Sequence, residues 1–191
     1  MNFINKMRTT LQKKYYLCTT NESKMKKRVE IKELLITDAV GIYTFQFVDN
    51  KHTEFMDFML KYKNVQDEYV KDDFHRIIAM IQKISENGAQ ERLFRVSEGQ
   101  MIDNVVAIPL DIRHRRDHET LRLYCVRFSD NFLIIGNGGT KFGNYNDNPD
   151  ILKYTKDLAN LERAIKYYIR KHNIHISSNK IFIDESINIE I

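Results

Sequence analysis

Three basic residues lie within, or at the end of, the most apolar stretch of the chain. Residues 121–141 read LRLYCVRFSDNFLIIGNGGTK. Arg122 and Arg127 interrupt a run of β-branched and aromatic residues. Lys141 closes a glycine-rich tail, Gly136-Asn137-Gly138-Gly139-Thr140-Lys141. Cations in a sheet that opens onto a glycine turn suit an anionic group. Guanidinium donates a fork of two bonds to phosphate oxygens and stays charged, which makes phosphate the natural ligand. A second basic group precedes them. The loop DIRHRRDHET, residues 111–120, holds Arg113, His114, Arg115, Arg116 and His118. Its arginines could grip RNA, and imidazole is the side chain that exchanges protons near neutral pH. Asp111, Asp117 and Glu119 balance part of that charge, so a solvated turn is the competing reading.

The glycine tail is not a nucleotide-binding loop. That motif needs G-x-x-x-x-G-K-[ST] between a strand and a helix that follows at once. The order is absent here, and the next helical pattern begins about ten residues later. The glycines are read as permitting a bend at the end of the strand. Strand alternation adds a constraint. Arg122, Tyr124, Val126 and Phe128 share one face, while Arg127 falls with Leu121, Leu123 and Cys125 on the other. The two arginines therefore cannot line one cleft unless a bulge intervenes.

Several elements must hold these residues. Residues 121–128 and 132–135 form a hairpin around the turn formers Ser129, Asp130 and Asn131. Its second strand is apolar on both faces and so belongs in the interior of the sheet. Residues 28–36 and 41–48 alternate as strands. Phe55, Phe58, Met59 and Tyr62 recur at helical spacing, with Thr53 as N-cap. Val70, Phe74, Ile77, Ile78, Ile81 and Ile84 make a longer apolar stripe that ends at Asn87-Gly88. A short extended piece at 92–96 and a strand at 105–110 follow. After the hairpin, Ile151, Tyr154, Leu158, Leu161, Ile165 and Tyr168 mark a long helix, and 181–191 alternates like edge strands. The expectation is an α+β fold: a small, mostly antiparallel sheet, with an N-terminal helical hairpin and a C-terminal helix packed on one face.

Charge divides the chain. Residues 1–30 hold eight basic residues against two acidic ones, a net +6, which leaves −2 for the rest of a chain totalling +4. Residues 1–27 are read as a basic arm, 28–173 as the α+β domain, and 174–191 as a C-terminal strand extension. Such an arm can hold nucleic acid through phosphate contacts, or be a solvated tail. No run of roughly 20 apolar residues suggests a membrane span, and no secretory h-region is visible. Cys18 and Cys125 lack metal-ligand spacing, and Cys125 reads as a buried free thiol. A cytoplasmic setting, without metal, cofactor or membrane, is expected.

The order of these pieces resembles the RelE/ParE/HigB toxin superfamily of bacterial toxin–antitoxin modules. The matching segments are ISENG at 84–88, RLFRV at 92–96, LRLYCVRF at 121–128 and LIIGNGGTK at 133–141, followed by the helix with DILKYTKDLANLE. The resemblance covers about residues 41–172 and is closest to Bacteroidetes-type members with RLYC-R followed by GNGG-K. The loop at 111–120 and the tail beyond 173 depart from the pattern. The resemblance implies a RelE-like fold and an mRNA endoribonuclease that uses the RNA 2′-hydroxyl as nucleophile. Arg122, Lys141 and Arg95 would match its basic positions, and Tyr145 its proton donor or acceptor, with His114 and His118 as rivals for that role. Arg113, His114, Arg115, Arg116 and Arg127 would bind RNA. Each arginine and lysine could equally be an ion-pair partner. Expected partners are a cognate antitoxin of the helix-turn-helix kind and mRNA or the ribosome. Two alternatives stay open. One is a ParE-like or degenerate member that binds a protein, its antitoxin or a target such as gyrase. The other is an RNA- or ribosome-binding module that uses the arm.

Overall fold

A computed structural model of the chain describes residues 26–94, 104–108, 110, 118–143 and 147–191. The fold is α+β. Its strands are β1 (Arg28–Ile36), β2 (Gly41–Phe47), β3 (Val105–Ala107), β4 (Thr120–Ser129), β5 (Phe132–Lys141), β6 (Ile174–Ser177), β7 (Lys180–Ile183) and β8 (Ile189–Glu190). Its helices are α1 (Glu54–Tyr62), α2 (Glu68–Asn87) and α3 (Pro149–Arg170). Six strands form one sheet in the order β3-β4-β5-β2-β1-β8, and β6 and β7 pair separately. Within the sheet the β2–β5 pair is parallel and the others are antiparallel.

Local chemistry sets the element ends. Thr53 caps α1 by accepting from the Met56 amide at 3.2 Å, and Asp67 caps α2 by accepting from Val70 at 2.9 Å. Gly88 ends α2 with φ +83°, a conformation that a residue with Cβ seldom adopts. Chain reversal between β4 and β5 is confined to Asp130 and Asn131.

Four expectations need correction. First, the helical pair does not lead the domain: β1 and β2 come before it. Second, the helices do not share one face. Phe58, Phe74 and Ile77 pack with Leu121, Leu123, Cys125, Leu133 and Ile135 on one side. Leu158, Leu161 and Ile165 of α3 pack with Tyr124, Val126, Phe132 and Ile134 on the other. A strand as apolar as β5 must be covered on both sides, and the helices divide to do it. Third, Glu91–Leu93 form a 3-10 turn where the extended piece is expected to begin, and β3 stops at Ala107. Fourth, the glycine tail does not leave the sheet: β5 continues through it to Lys141.

The edges are tied down by α3 and by the C-terminal residues. Glu162 of α3 is fully buried, and its carboxylate accepts from the Asn104 backbone at 3.0 Å and from its side-chain amide at 2.6 Å. Lys166 pairs with the same carboxylate at 2.5 Å. β8 joins β1 at Arg28 and Val29, and Lys27 and Ile191 exchange both backbone bonds at 2.9 Å. No helix among the described residues is long and apolar enough to cross a membrane.

Candidate functional site

The β4–β5 hairpin places two of the predicted residues together. Its outer half pairs Thr120 with Lys141, Leu121 with Thr140, Arg122 with Gly139 and Leu123 with Gly138. Arg122 and Lys141 are thus diagonal neighbours on adjacent strands and on the same face, about 7 Å apart at Cβ by ordinary sheet geometry. Both are half-buried. Gly139, directly across from Arg122, is itself buried, and the space beside it is closed by α3 and α1. A Cβ there would lie 3.7 Å from Ile151 Cγ1 of α3 and 3.9 Å from the Tyr62 hydroxyl of α1. Beyond it, Asn148, just before α3, bonds back to Phe142: its side chain accepts from Phe142 N at 3.2 Å and donates to Phe142 O at 3.1 Å.

The pairing is not uniform along the hairpin. The inner half pairs Cys125 with Ile135, Val126 with Ile134 and Arg127 with Leu133. Between the two halves, Tyr124 faces both Gly136 and Asn137, so β5 carries one extra residue there. Gly138 follows, and a Cβ at that position would sit 2.0 Å from the Arg122 carbonyl oxygen. Only glycine permits so close an approach of the strands. The Asn137 amide donates from Nδ2 to Glu54 Oε2 at 3.0 Å, and its Oδ1 accepts from the Gly138 backbone at 2.8 Å. Glu54 and Asn137 are both buried.

A rim of polar groups from α1 and α3 meets beside this strand. Lys61 Nζ lies 3.8 Å from Asp150 and 5.3 Å from the centre of the Tyr62 ring. Burial opposes the charge on Lys61, but Tyr62, Tyr154 and Asp150 outweigh it and hold its pKa above the ordinary value. Burial pushes the Tyr154 hydroxyl up, with Lys61 opposing. Burial likewise pushes up Glu54, against the Asn137 bond, and Asp157, against Lys153.

The raised carboxyls carry a pH prediction. A raised pKa means that the folded form holds its proton where the unfolded chain has lost it. The stability these groups contribute is full below the ordinary carboxylate range and falls as pH climbs through the raised values. Glu54→Gln removes the Glu54 share. Urea titrations are therefore expected to show this variant gaining stability relative to wild type as pH rises through and above the ordinary carboxylate range.

The remaining predicted residues divide into two groups. Arg127 lies on the face opposite Arg122, as alternation requires. Its Nε donates to the Ala89 carbonyl at 2.6 Å and its other end pairs with Asp130. It thereby ties the exit of α2 to the hairpin turn. Arg127→Ala is expected to cost about 2 kcal/mol of stability, as for hydrogen bonds to charged groups, which chemical denaturation measures. His118 stacks on Tyr69 of α2, ring centres 3.9 Å apart and tilted by 21°. Arg95, Arg113, His114, Arg115, Arg116 and Tyr145 lie outside the described residues.

Sequence reasoning missed Glu54, Lys61, Tyr62, Asn137 and Tyr154 as neighbours of the site. A glutamate in the first turn of a helix is ordinary, so Glu54 gave no sign. Asn137 did give one: it is a lone polar side chain in a buried strand. No protein-family model, curated protein or solved structure matches the chain.

Proposed function

We propose that the chain is a RelE/HigB-like toxin that cleaves mRNA, held inactive by a cognate antitoxin. The observation that carries this reading is the placement of Arg122 and Lys141 on one face of adjacent strands, flanking the side-chain-free position of Gly139. In support of the reading, the helical pair α1–α2 precedes the β4–β5 hairpin and α3 follows it.

A scissile phosphate held by the partly exposed side chains of Arg122 and Lys141 would meet cations from two strands. In the proposed reaction the RNA 2′-oxygen attacks phosphorus and the bond to the 5′-oxygen breaks. The products are a 2′,3′-cyclic phosphate and a 5′-hydroxyl. One proton leaves the attacking hydroxyl and one reaches the leaving oxygen, so the site needs an acceptor and a donor. Arg122 binds the non-bridging oxygens through its fork and Lys141 offsets charge as it develops. Tyr145, four positions after Lys141 in the sequence, is the proposed proton carrier. The reaction needs no cofactor.

Induced expression is the test. Growth arrest with cut transcripts is expected from wild type, and neither effect from Arg122→Ala or Lys141→Ala proteins that remain folded. Growth arrest with intact RNA would overturn the nuclease reading and favour a ParE-like protein that acts by binding its target. A small helix-turn-helix reading frame beside the gene would support the antitoxin part.

A further inference from the structure

The extra residue in β5 decides which way Lys141 points. Side chains alternate along a strand, so one inserted residue moves everything beyond it to the opposite face. In the inner half, Ile135 shares its face with Leu133 and Cys125, against α1 and α2. Unbroken alternation from Ile135 would put residues 137, 139 and 141 on that same face. Lys141 would then be separated from Arg122 by the sheet. The extra residue restores Lys141 to the face of Thr120 and Arg122.

Close packing at Gly136 and Gly138 and the Asn148–Phe142 bonds favour this register, but few side chains of β5 hold it. Between Gly136 and Gly139 only Asn137 has a side chain, and glycine-rich strands slip readily. Strand β2 gives no support here, because its pairing with β5 ends at Thr44–Ile135. Helix α1 takes over at that point. Thr44 Oγ1 accepts from the Phe55 amide at 3.3 Å, which sets the start of α1 against the end of the parallel pair. Glu54, its first residue, is 4% exposed and receives the amide of Asn137, which is 6% exposed. The other end of Asn137 accepts from Gly138 N, so the side chain is occupied at both ends.

We propose that the Glu54–Asn137 bond is a positioning clamp that fixes the bulge in β5 and so keeps Lys141 on the face that carries Arg122. Its functional meaning rests on the reading of Arg122 and Lys141 as the phosphate site. The clamp itself is a statement about register and can be measured without RNA.

Two side-chain swaps test it. Asn137→Asp loses the donor and sets two buried carboxylates against each other. Glu54→Gln keeps an oxygen that can accept from Asn137. The double variant Glu54→Gln/Asn137→Asp reverses the bond, with the glutamine amide donating to the aspartate. In NMR spectra of the full chain, the backbone contact between Thr120 and Lys141 is expected in wild type and in Glu54→Gln. It is expected to vanish in Asn137→Asp and to return in the double variant. RNA cleavage should follow the same pattern, falling at least tenfold in Asn137→Asp and recovering in the double variant. A folded Asn137→Asp protein that keeps the Thr120–Lys141 contact would overturn the clamp, and so would a folded double variant that does not regain it. If Asn137→Asp does not fold, Asn137→Ala takes its place. Failure of both to fold would count against the proposal, because the bond would then be a general stability contact. If the NMR pattern holds but wild type cuts no RNA, the clamp stands and the nuclease reading falls.

Discussion

On the proposed nuclease reading, Arg122→Ala is expected to lower RNA cleavage by about two to three orders of magnitude, the scale seen when one hydrogen-bond donor to a transition-state oxyanion is removed. The side chain is half-buried on β4, opposite Gly139 and diagonal to the equally half-buried Lys141, so the two cations share one face of the sheet. Arginine should not be replaceable by lysine there. The ammonium keeps the charge but loses the fork, so Arg122→Lys is expected to recover only part of the rate. Single-turnover cleavage of a short RNA, with circular dichroism as a check on folding, measures both variants. Wild-type rates in a folded Arg122→Ala protein would remove the residue from the chemistry altogether.

The largest expected effect on stability comes from Phe58→Ala. Phe58 is fully buried where α1 meets α2 and the sheet. Its ring lies 5.1 Å from Tyr62, 6.0 Å from Phe74 and 6.5 Å from Phe55, centre to centre. Truncation removes the anchor of a nine-residue helix and leaves a cavity at the junction. The cost should be about 3–5 kcal/mol. For a chain of this size that corresponds to a fall in Tm of roughly 10 °C. A loss below about 1 kcal/mol in urea denaturation would show that neighbouring rings collapse into the space.

Much of the fold was legible because its signals are local. The stripe from Val70 to Ile84 and the glycine at 88 gave α2 its length and its end, and Thr53 marked the start of α1. The apolar run at 132–135 implied an interior strand, and β5 lies between β4 and β2. That run also held the clue to the division of the helices: a strand with two apolar faces needs cover on both. Two features were hidden because they depend on distant partners. The continuation of β5 through its glycines rests on how closely β4 approaches, which composition does not report. The burial of Glu54 rests on an asparagine 83 positions away. At the site, alternation separated Arg122 from Arg127, but it could not foresee the extra residue that governs Lys141.

The parallel seam between β2 and β5 has a consequence for the order of folding. Each flanking hairpin, β1–β2 and β4–β5, closes through a short turn and can form early. The seam joins Gly41 to Phe132, 91 positions along the chain, so its loop-closure entropy must be met before its contacts repay it. The Glu54–Asn137 bond lies just beyond that seam. Arg122 therefore takes its place with a local hairpin, whereas Lys141 reaches its final register only after the two halves of the sheet have docked. The pair of cations is thus completed after the local hairpins, by a contact between distant parts of the chain.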